Sequence, residues 1–433
     1  MFCQLEVLRH CFPSSVRHIL EELPESLDET YERILREIRK PNQEHAHRLL
    51  QCLVAAVRPL QVKELAEILA FDFNVEGIPK LNVGWRWEDQ EEAVMSACSS
   101  LVTIVKDGDS QIVQFSHFSV KEFLTANRLV EPIRDVSRYH IRFEAAHTIL
   151  AQACLGVLLQ LDDHVDLKNI EKFPLARYAA QYWPTHVRFE NASSRIKDIK
   201  DGMECLFDAD KHHFATWLWI YNEDDRGRSM LTMRPEKPKA VPLYYAARFG
   251  FRDLAEHLIT KHPEHVNARG GSEESSMHAA AGAGHTDILM LLLEHGADVD
   301  CQRIYGWTPL HDASSNATLE AGRYLLDRGA NANAQSDGDW TALYYSARDG
   351  HAEFARMLLE RGARINAQGY DGDTPLHGAV DGDNIQVVRL LLEHGADVNV
   401  RGKSSRTPSQ KASWLGRQEI VELLSKYGTE SVK

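Results

Sequence analysis

A short motif returns through the C-terminal half of this chain at a nearly fixed interval. TPLHDAS at Thr308 recurs as TALYYSA at Thr341 and TPLHGAV at Thr374, with looser copies VPLYYAA at Val241, SSMHAAA at Ser275 and TPSQKAS at Thr407. The fourth residues of the copies are Tyr244, His278, His311, Tyr344, His377 and Gln410, spaced 34, 33, 33, 33 and 33 residues apart. A unit of this length cannot bury its own apolar face. Neighbouring copies must stack into one continuous core, so this half is expected to be a solenoid and not a closed globule.

Each copy reads as a helix, a second helix and a glycine stop. Pro309 and Pro375 suit a first helical position, where a missing N–H costs nothing. Leu310 and Ala313 fall on one face, and Leu291–Leu293 and Leu390–Leu392 give the second helix an apolar stripe. Gly296, Gly329, Gly362 and Gly395 supply the left-handed residue that ends it. The pattern is similar to the ankyrin repeat, in six copies over residues 240–428. Two copies depart from it: Ala317 and Asp383 stand where the helix–helix turn expects glycine, which predicts altered turns in copies three and five. Ser409, Gln410 and Lys411 in the last copy suggest a cap with a wet outer side.

The ankyrin resemblance implies protein binding through hairpin tips and first-helix faces. Tyr305, Trp307, Trp340 and Tyr370 are expected at the tips, and Asp312, Tyr345 and Arg348 on the helices. Aromatic residues and arginine are the side chains that interface hot spots favour. For Trp307 and Trp340, packing against adjacent hairpins is an equal expectation. Asp337-Gly-Asp339 and Asp371-Gly-Asp373 are read as turn chemistry, because the remaining ligands of a calcium loop are missing.

The N-terminal half has another grammar. Ser26 and Glu29 form a capping box that opens a helix stopped by Pro41, and further helices are expected over residues 42–57, 62–70 and 88–98. The β-rich runs 101–105 and 111–115 flank an Asp-Gly turn and predict a hairpin. Helices followed by a hairpin suggest a winged helix over 42–130. Its candidate groove helix carries Glu88, Asp89, Glu91 and Glu92 and no basic residue, so DNA phosphates would repel it. Further helices are expected at 145–161, 175–182 and 195–207, within a helical connector of 131–221, and a polar linker at 222–239.

Bulk properties agree. The chain has 433 residues, 43% of them hydrophobic, and a formal net charge of −14, which argues against nucleic acid and anionic membranes. The longest apolar run, 149–161, suits a buried core helix better than a membrane span. Seven dispersed cysteines, none in C-x-x-C, predict reduced thiols and a cytoplasmic location. The sequons at Asn191 and Asn316 are accordingly expected to stay unmodified. No zinc ligand cluster is expected: His45/His47 and His212/His213 read as ordinary surface pairs. No metal, cofactor or catalytic residue is assigned.

The stretch QFSHFSVKEFL, 114–124, is the most chemically suggestive. Ser119 and Glu122 read as a capping box, with Phe118 and Phe123 as its hydrophobic staple. A Ser/His hydrolase is an alternative that lacks a nucleophile elbow and an orienting carboxylate. His117 precedes a helix N-terminus, a place that favours anions.

LPESLDETYERIL (23–35), RLLQCLVAAVRPLQVKELAEILA (48–70) and FSHFSVKEFL (115–124) together resemble the region following the NTPase in fungal NACHT–ankyrin STAND proteins. The connector ending PLARYAAQYWPTHVRFE (174–190) extends that resemblance over essentially the whole chain. It implies a regulatory and sensor arm of a signalling receptor, in which His117 would contact the nucleotide diphosphate held by an NTPase domain docked on it. No G-x-x-x-x-G-K-[ST] occurs. Gly402-Lys403-Ser404 has only its tail, with Asp397 where the first glycine belongs, so no ATPase activity or tight ATP binding is expected. Residues 1–41 are then expected to be a helical segment following a missing NTPase. A free-standing ankyrin scaffold with a remnant N-terminal half is the other alternative.

Overall fold

The computed structural model describes residues 26–130, 136–161, 165, 169–189, 196–225, 241–270 and 274–430. The chain is mainly α-helical and divides into two compact units, residues 1–237 and 238–433.

The first unit opens with α1 (Leu27–Glu37), capped by the reciprocal Ser26–Glu29 bonds that the sequence predicts. It then runs through α2 (Gln43–Ala55), β1 (Leu60–Gln61), α3 (Val62–Ile68), β2 (Phe71–Asp72), β3 (Lys80–Leu81), α4 (Gln90–Cys98), β4 (Val102–Asp107) and β5 (Ser110–Phe115). β4 and β5 form the expected hairpin, turning at Gly108 with φ +57°. β1 joins its far side antiparallel, pairing Leu60 with Val113. A three-stranded sheet β1-β5-β4 behind helices is the winged-helix arrangement. β2 and β3 make a separate two-stranded ribbon.

α5 (Phe118–Thr125) corrects one expectation. Its N-cap is His117, whose ring nitrogen accepts from the Ser119 N–H at 3.3 Å. Ser119 sits inside the first turn and does not cap. Its hydroxyl is drawn instead to the Tyr31 hydroxyl at 2.7 Å. The staple fails for the same reason: with the helix begun earlier, Phe118 is 71% exposed while Phe123 is buried against Tyr31.

α6 (Phe143–Leu158), α7 (Ala176–Arg188), α8 (Lys197–Leu206) and α9 (His212–Asp225) follow. α6 is the buried core helix expected from the apolar run. Trp183, Phe207, Phe214 and Trp217 cluster between α7, α8 and α9, and the Trp217 indole N–H satisfies the Ala180 carbonyl at 3.0 Å. Polar ties bind these helices to the wing. The buried Glu67 carboxylate accepts from the Leu175 N–H at 2.6 Å and from Arg86, and the Tyr178 hydroxyl accepts from the Val57 N–H at 3.2 Å. The predicted linker begins inside α9, and its remainder lies outside the described residues. Asn191, Cys3 and Cys11 also lie outside them. The five described cysteines are free: Cys52, Cys98 and Cys154 buried, Cys205 and Cys301 half-buried.

The second unit is the repeat array. Its first helices are α10 (Pro242–Phe249), α12 (Ser276–Ala283), α14 (Pro309–Ser315), α16 (Ala342–Asp349), α18 (Pro375–Asp381) and α20 (Pro408–Trp414). They alternate with α11 (Arg252–Lys261), α13 (Thr286–Glu294), α15 (Leu319–Asp327), α17 (Ala352–Glu360), α19 (Ile385–Glu393) and α21 (Gln418–Glu430), each row stacking on itself. The turns of copies three and five are not altered. Ala317 and Asp383 take up left-handed φ values of +56° and +59°, matching Gly284 at +80° and Gly350 at +85°. The same backbone bond closes all four turns, as in Thr318 N–H to Ala313 and His285 N–H to Ala280. Register outweighs the local steric cost, about 1–2 kcal/mol for an L-residue in this region.

Candidate interaction surface

Three first helices of the array start with a side chain that reaches both back and forward. The Thr308 N–H donates to His311 Nδ1 at 3.1 Å, and His311 Nε2 donates to the Trp340 carbonyl of the next copy at 3.1 Å. His278 does the same between Ser275 and the Trp307 carbonyl, and His377 between Thr374 and the Arg406 carbonyl. The arrangement demands the neutral tautomer with the proton on Nε2. Burial holds His278 and His311 down to about 4, and lowers His377 as well. In the last copy Gln410 keeps the backward bond through its amide oxygen, at 3.0 Å from the Thr407 nitrogen. Gln410 is exposed, as a wet outer side requires, but Lys411 departs from that expectation. It is buried, with its ammonium held between Asp373 at 2.5 Å and Asp381 at 2.6 Å.

These seams fix the hairpin tips relative to one another. The Asp337 N–H bonds the Tyr305 carbonyl at 2.8 Å, and the Tyr370 N–H bonds the Gly338 carbonyl at 3.0 Å. Six of the seven residues singled out in the sequence thereby converge. Tyr305, Trp307, Trp340, Tyr345, Arg348 and Tyr370, with Arg303 and Asp337, line one concave basin of about 620 Å3. Trp307 packs on Tyr345 with ring centroids 4.4 Å apart, and Trp340 stacks on Tyr344 at 3.9 Å. Both tryptophans therefore pack against neighbouring rings and remain half-exposed. Tyr305 and Tyr370 stand at the rim, each 70% exposed.

Two guanidiniums sit over rings of the wall. Arg303 lies 4.7 Å from the Trp307 centroid and Arg348 lies 5.1 Å from that of Tyr345. Each is braced by a carboxylate, Arg348 by Asp349 at 2.8 Å and Arg303 by Asp312 through two bonds of 2.8 and 3.2 Å. Asp312 is the predicted residue that does not reach the basin. It is buried beneath Arg303, where burial lifts its carboxyl to about 6 against the pull of that guanidinium. Arg303 and Asp337 were missed in the sequence. Both lie in the hairpins just before the Trp307 and Trp340 positions, which was the available signal.

In the first unit, His117 is exposed at the head of α5. Its Nδ1 is occupied by the Ser119 hydroxyl at 2.6 Å, which Tyr31 in turn holds. Among the described residues no carboxylate bonds the ring, and the serine hydroxyl is shared with a tyrosine. That is the geometry of a helix cap rather than of an activated nucleophile. The α4 helix carries Glu91 and Glu92 in its first turn and no cation.

One convergence of metal-ligating groups was not foreseen. His262, Glu264 and His265 bring a ligand atom each within 4.8 Å of one another. Among the described residues, no helix is long and apolar enough to cross a membrane.

Comparison with known proteins agrees with this architecture. The family described as "Ankyrin repeats (3 copies)" matches residues 243–336, 318–369, 329–402 and 368–432. "GPI inositol-deacylase, winged helix domain" matches residues 31–132. The chain therefore carries an ankyrin array and a winged-helix domain of that type. It is similar to "Azaphilone pigments biosynthesis cluster protein L" of Monascus ruber, at 33% identity over 300 residues, covering 65% of this chain and 61% of that one. Its similarity to human "BCL-6 corepressor-like protein 1" is 44% over 78 residues, or 18% of this chain and 4% of the relative. With "Ankyrin repeat and SOCS box protein 16" of Mus musculus it shares 34% over 87 residues, 20% of this chain and 19% of the other. The matched stretches thus span less than two thirds of these relatives.

Proposed function

We propose that this chain is a non-catalytic interaction protein whose ankyrin array captures a protein partner in the basin of Trp307, Trp340, Tyr345 and Tyr370. The observation that carries this reading is the convergence of five aromatic rings and two carboxylate-braced arginines in one concavity. Rigid rings lose little conformational entropy on binding, and concave aromatic sites bearing arginine are where hot spots concentrate.

The first unit we read as the regulatory part of a STAND-type receptor. The winged-helix match, a type found in NACHT proteins, supports this, as does the position of His117. The Ser119 hydroxyl and N–H fix its Nδ1 as acceptor, which leaves an exposed Nε2–H beside the N-terminus of α5, a donor suited to phosphate on a docked NTPase domain.

The array reading is tested by affinity capture with the full chain against two variants, Trp340→Ala/Tyr370→Ala in the basin and Arg323→Ala/Arg356→Ala on the second-helix row. A partner retained by wild type and by the second variant but lost from the first supports the basin. Equal retention by all three places the binding surface elsewhere.

A further inference from the structure

The first repeat breaks the pattern of the array at one point. Copies two to five stop their second helix at Gly296, Gly329, Gly362 and Gly395, all with positive φ. The first copy has no such glycine. It reads His262-Pro263-Glu264-His265, and the one longer spacing in the array, 34 residues from Tyr244 to His278, spans this segment.

The inserted residue changes the backbone as well as the composition. α11 ends at Lys261, and Pro263–His265 form a single tight turn closed by the His265 N–H on the His262 carbonyl at 3.0 Å. That turn folds both imidazoles back onto one carboxylate. His262 Nδ1 lies 3.2 Å from Glu264 Oε1, and His265 Nε2 lies 3.9 Å from the same oxygen. The two rings face each other with centroids 5.0 Å apart.

We propose that His262, Glu264 and His265 form a zinc-binding site with the fourth position open to water or to a side chain of another molecule. Zinc bonds of about 2.0–2.2 Å in tetrahedral geometry put neighbouring ligand atoms about 3.3–3.5 Å apart. The two spacings to Glu264 bracket that range, and the exposed Glu264 side chain can turn to close the wider one.

The position of the cluster on its helix also favours a cation. The cluster caps the C-terminus of α11, the negative end of the helix dipole. Two nitrogens and one oxygen suit zinc, whereas magnesium and calcium prefer oxygen alone.

The test titrates the full chain with zinc chloride against a chromophoric chelator at pH 7.5, beside His262→Gln/His265→Gln. The wild type should retain one more equivalent of zinc than the variant. Glu264→Gln should weaken that equivalent more than tenfold. Cobalt(II) in place of zinc should give the visible band of a four-coordinate ion in the wild type alone. Equal zinc counts in wild type and double variant, with circular dichroism unchanged, would overturn the site, as would a cobalt band of the same intensity in both proteins. Zinc held elsewhere on the chain is common to both proteins and cancels.

Discussion

Mild acid should loosen the ankyrin array through the histidines that join its copies. His278 and His311 must stay neutral to accept the backward bond on Nδ1, and burial keeps each near 4 against a usual value of about 6.5. The unfolded chain therefore takes up both protons as pH falls through 6.5, while the folded array refuses them until about 4. Between pH 7 and pH 5 this linkage removes about 2 kcal/mol per histidine, or about 4 for the pair. His377 is shifted the same way and adds to the loss. Asp312 works in the opposite sense. Its folded value of about 6 lies above the usual one, so it penalises folding at pH 7 and returns about 1 kcal/mol at pH 5. The histidines win by roughly 3 kcal/mol. With a urea dependence of about 2 kcal/mol per molar, the unfolding midpoint should fall by more than 1 M. The assay is pulsed amide exchange at one labelling pH after equilibration in urea at pH 7 or pH 5, read on peptides covering α12 and α14 so that the first unit does not enter. His278→Gln/His311→Gln mimics Gln410, which caps without titrating. It should be less stable at pH 7 by about 1 kcal/mol per lost forward bond, yet lose little more at pH 5. If the wild type falls no further than this variant, the histidines are not the acid-sensitive groups and the reasoning fails.

Other substitutions probe different links. Lys411→Met removes the ammonium between Asp373 and Asp381 and leaves a buried carboxylate unpaired; the last repeat should lose about 3–5 kcal/mol, visible as early exchange of α20 and α21 in urea. Ala317→Gly and Asp383→Gly relieve left-handed residues and should each raise the stability of the array by up to about 1 kcal/mol, measured by the same exchange. Gly322→Ala should do the reverse although alanine favours helix. Its methyl group would meet the Phe354 ring at 2.3 Å, and exchange of α15 and α17 should quicken.

How much of this was legible depended on the range of the interaction. The array could be read because a repeat states its own packing: Leu310, Ala313 and the glycine stops occupy equivalent places in each copy. The wing hairpin was visible in its Asp-Gly turn. Ser119 was misread because a capping box is a local pattern, and a hydroxyl 88 residues distant, Tyr31, competes for the same side chain. Lys411 was misread for a similar reason, since its carboxylates lie 38 and 30 residues earlier. Ala317 and Asp383 show the converse. There a local preference against left-handed backbone was outvoted by stacking on both sides. The basin lay between, its residues recognisable one by one while their convergence depended on hairpins bonding across copies. His262, Glu264 and His265 carry no cysteine and no ligand spacing of a known metal motif, and what draws them together is a lost glycine.

The identity of the residue at the fourth position divides the array. Histidine ties copy two to three, three to four and five to six, but copies one and four carry Tyr244 and Tyr344, which do not titrate in mild acid. The seams between copies one and two and between four and five therefore differ in kind from the rest. Pulled from its ends in an acidic medium, such a chain would not unzip evenly. It would part first at the three histidine joints, leaving copies one and two as one short block and copies four and five as another, and the basin, which spans the joint between copies three and four, would be split before either block gave way.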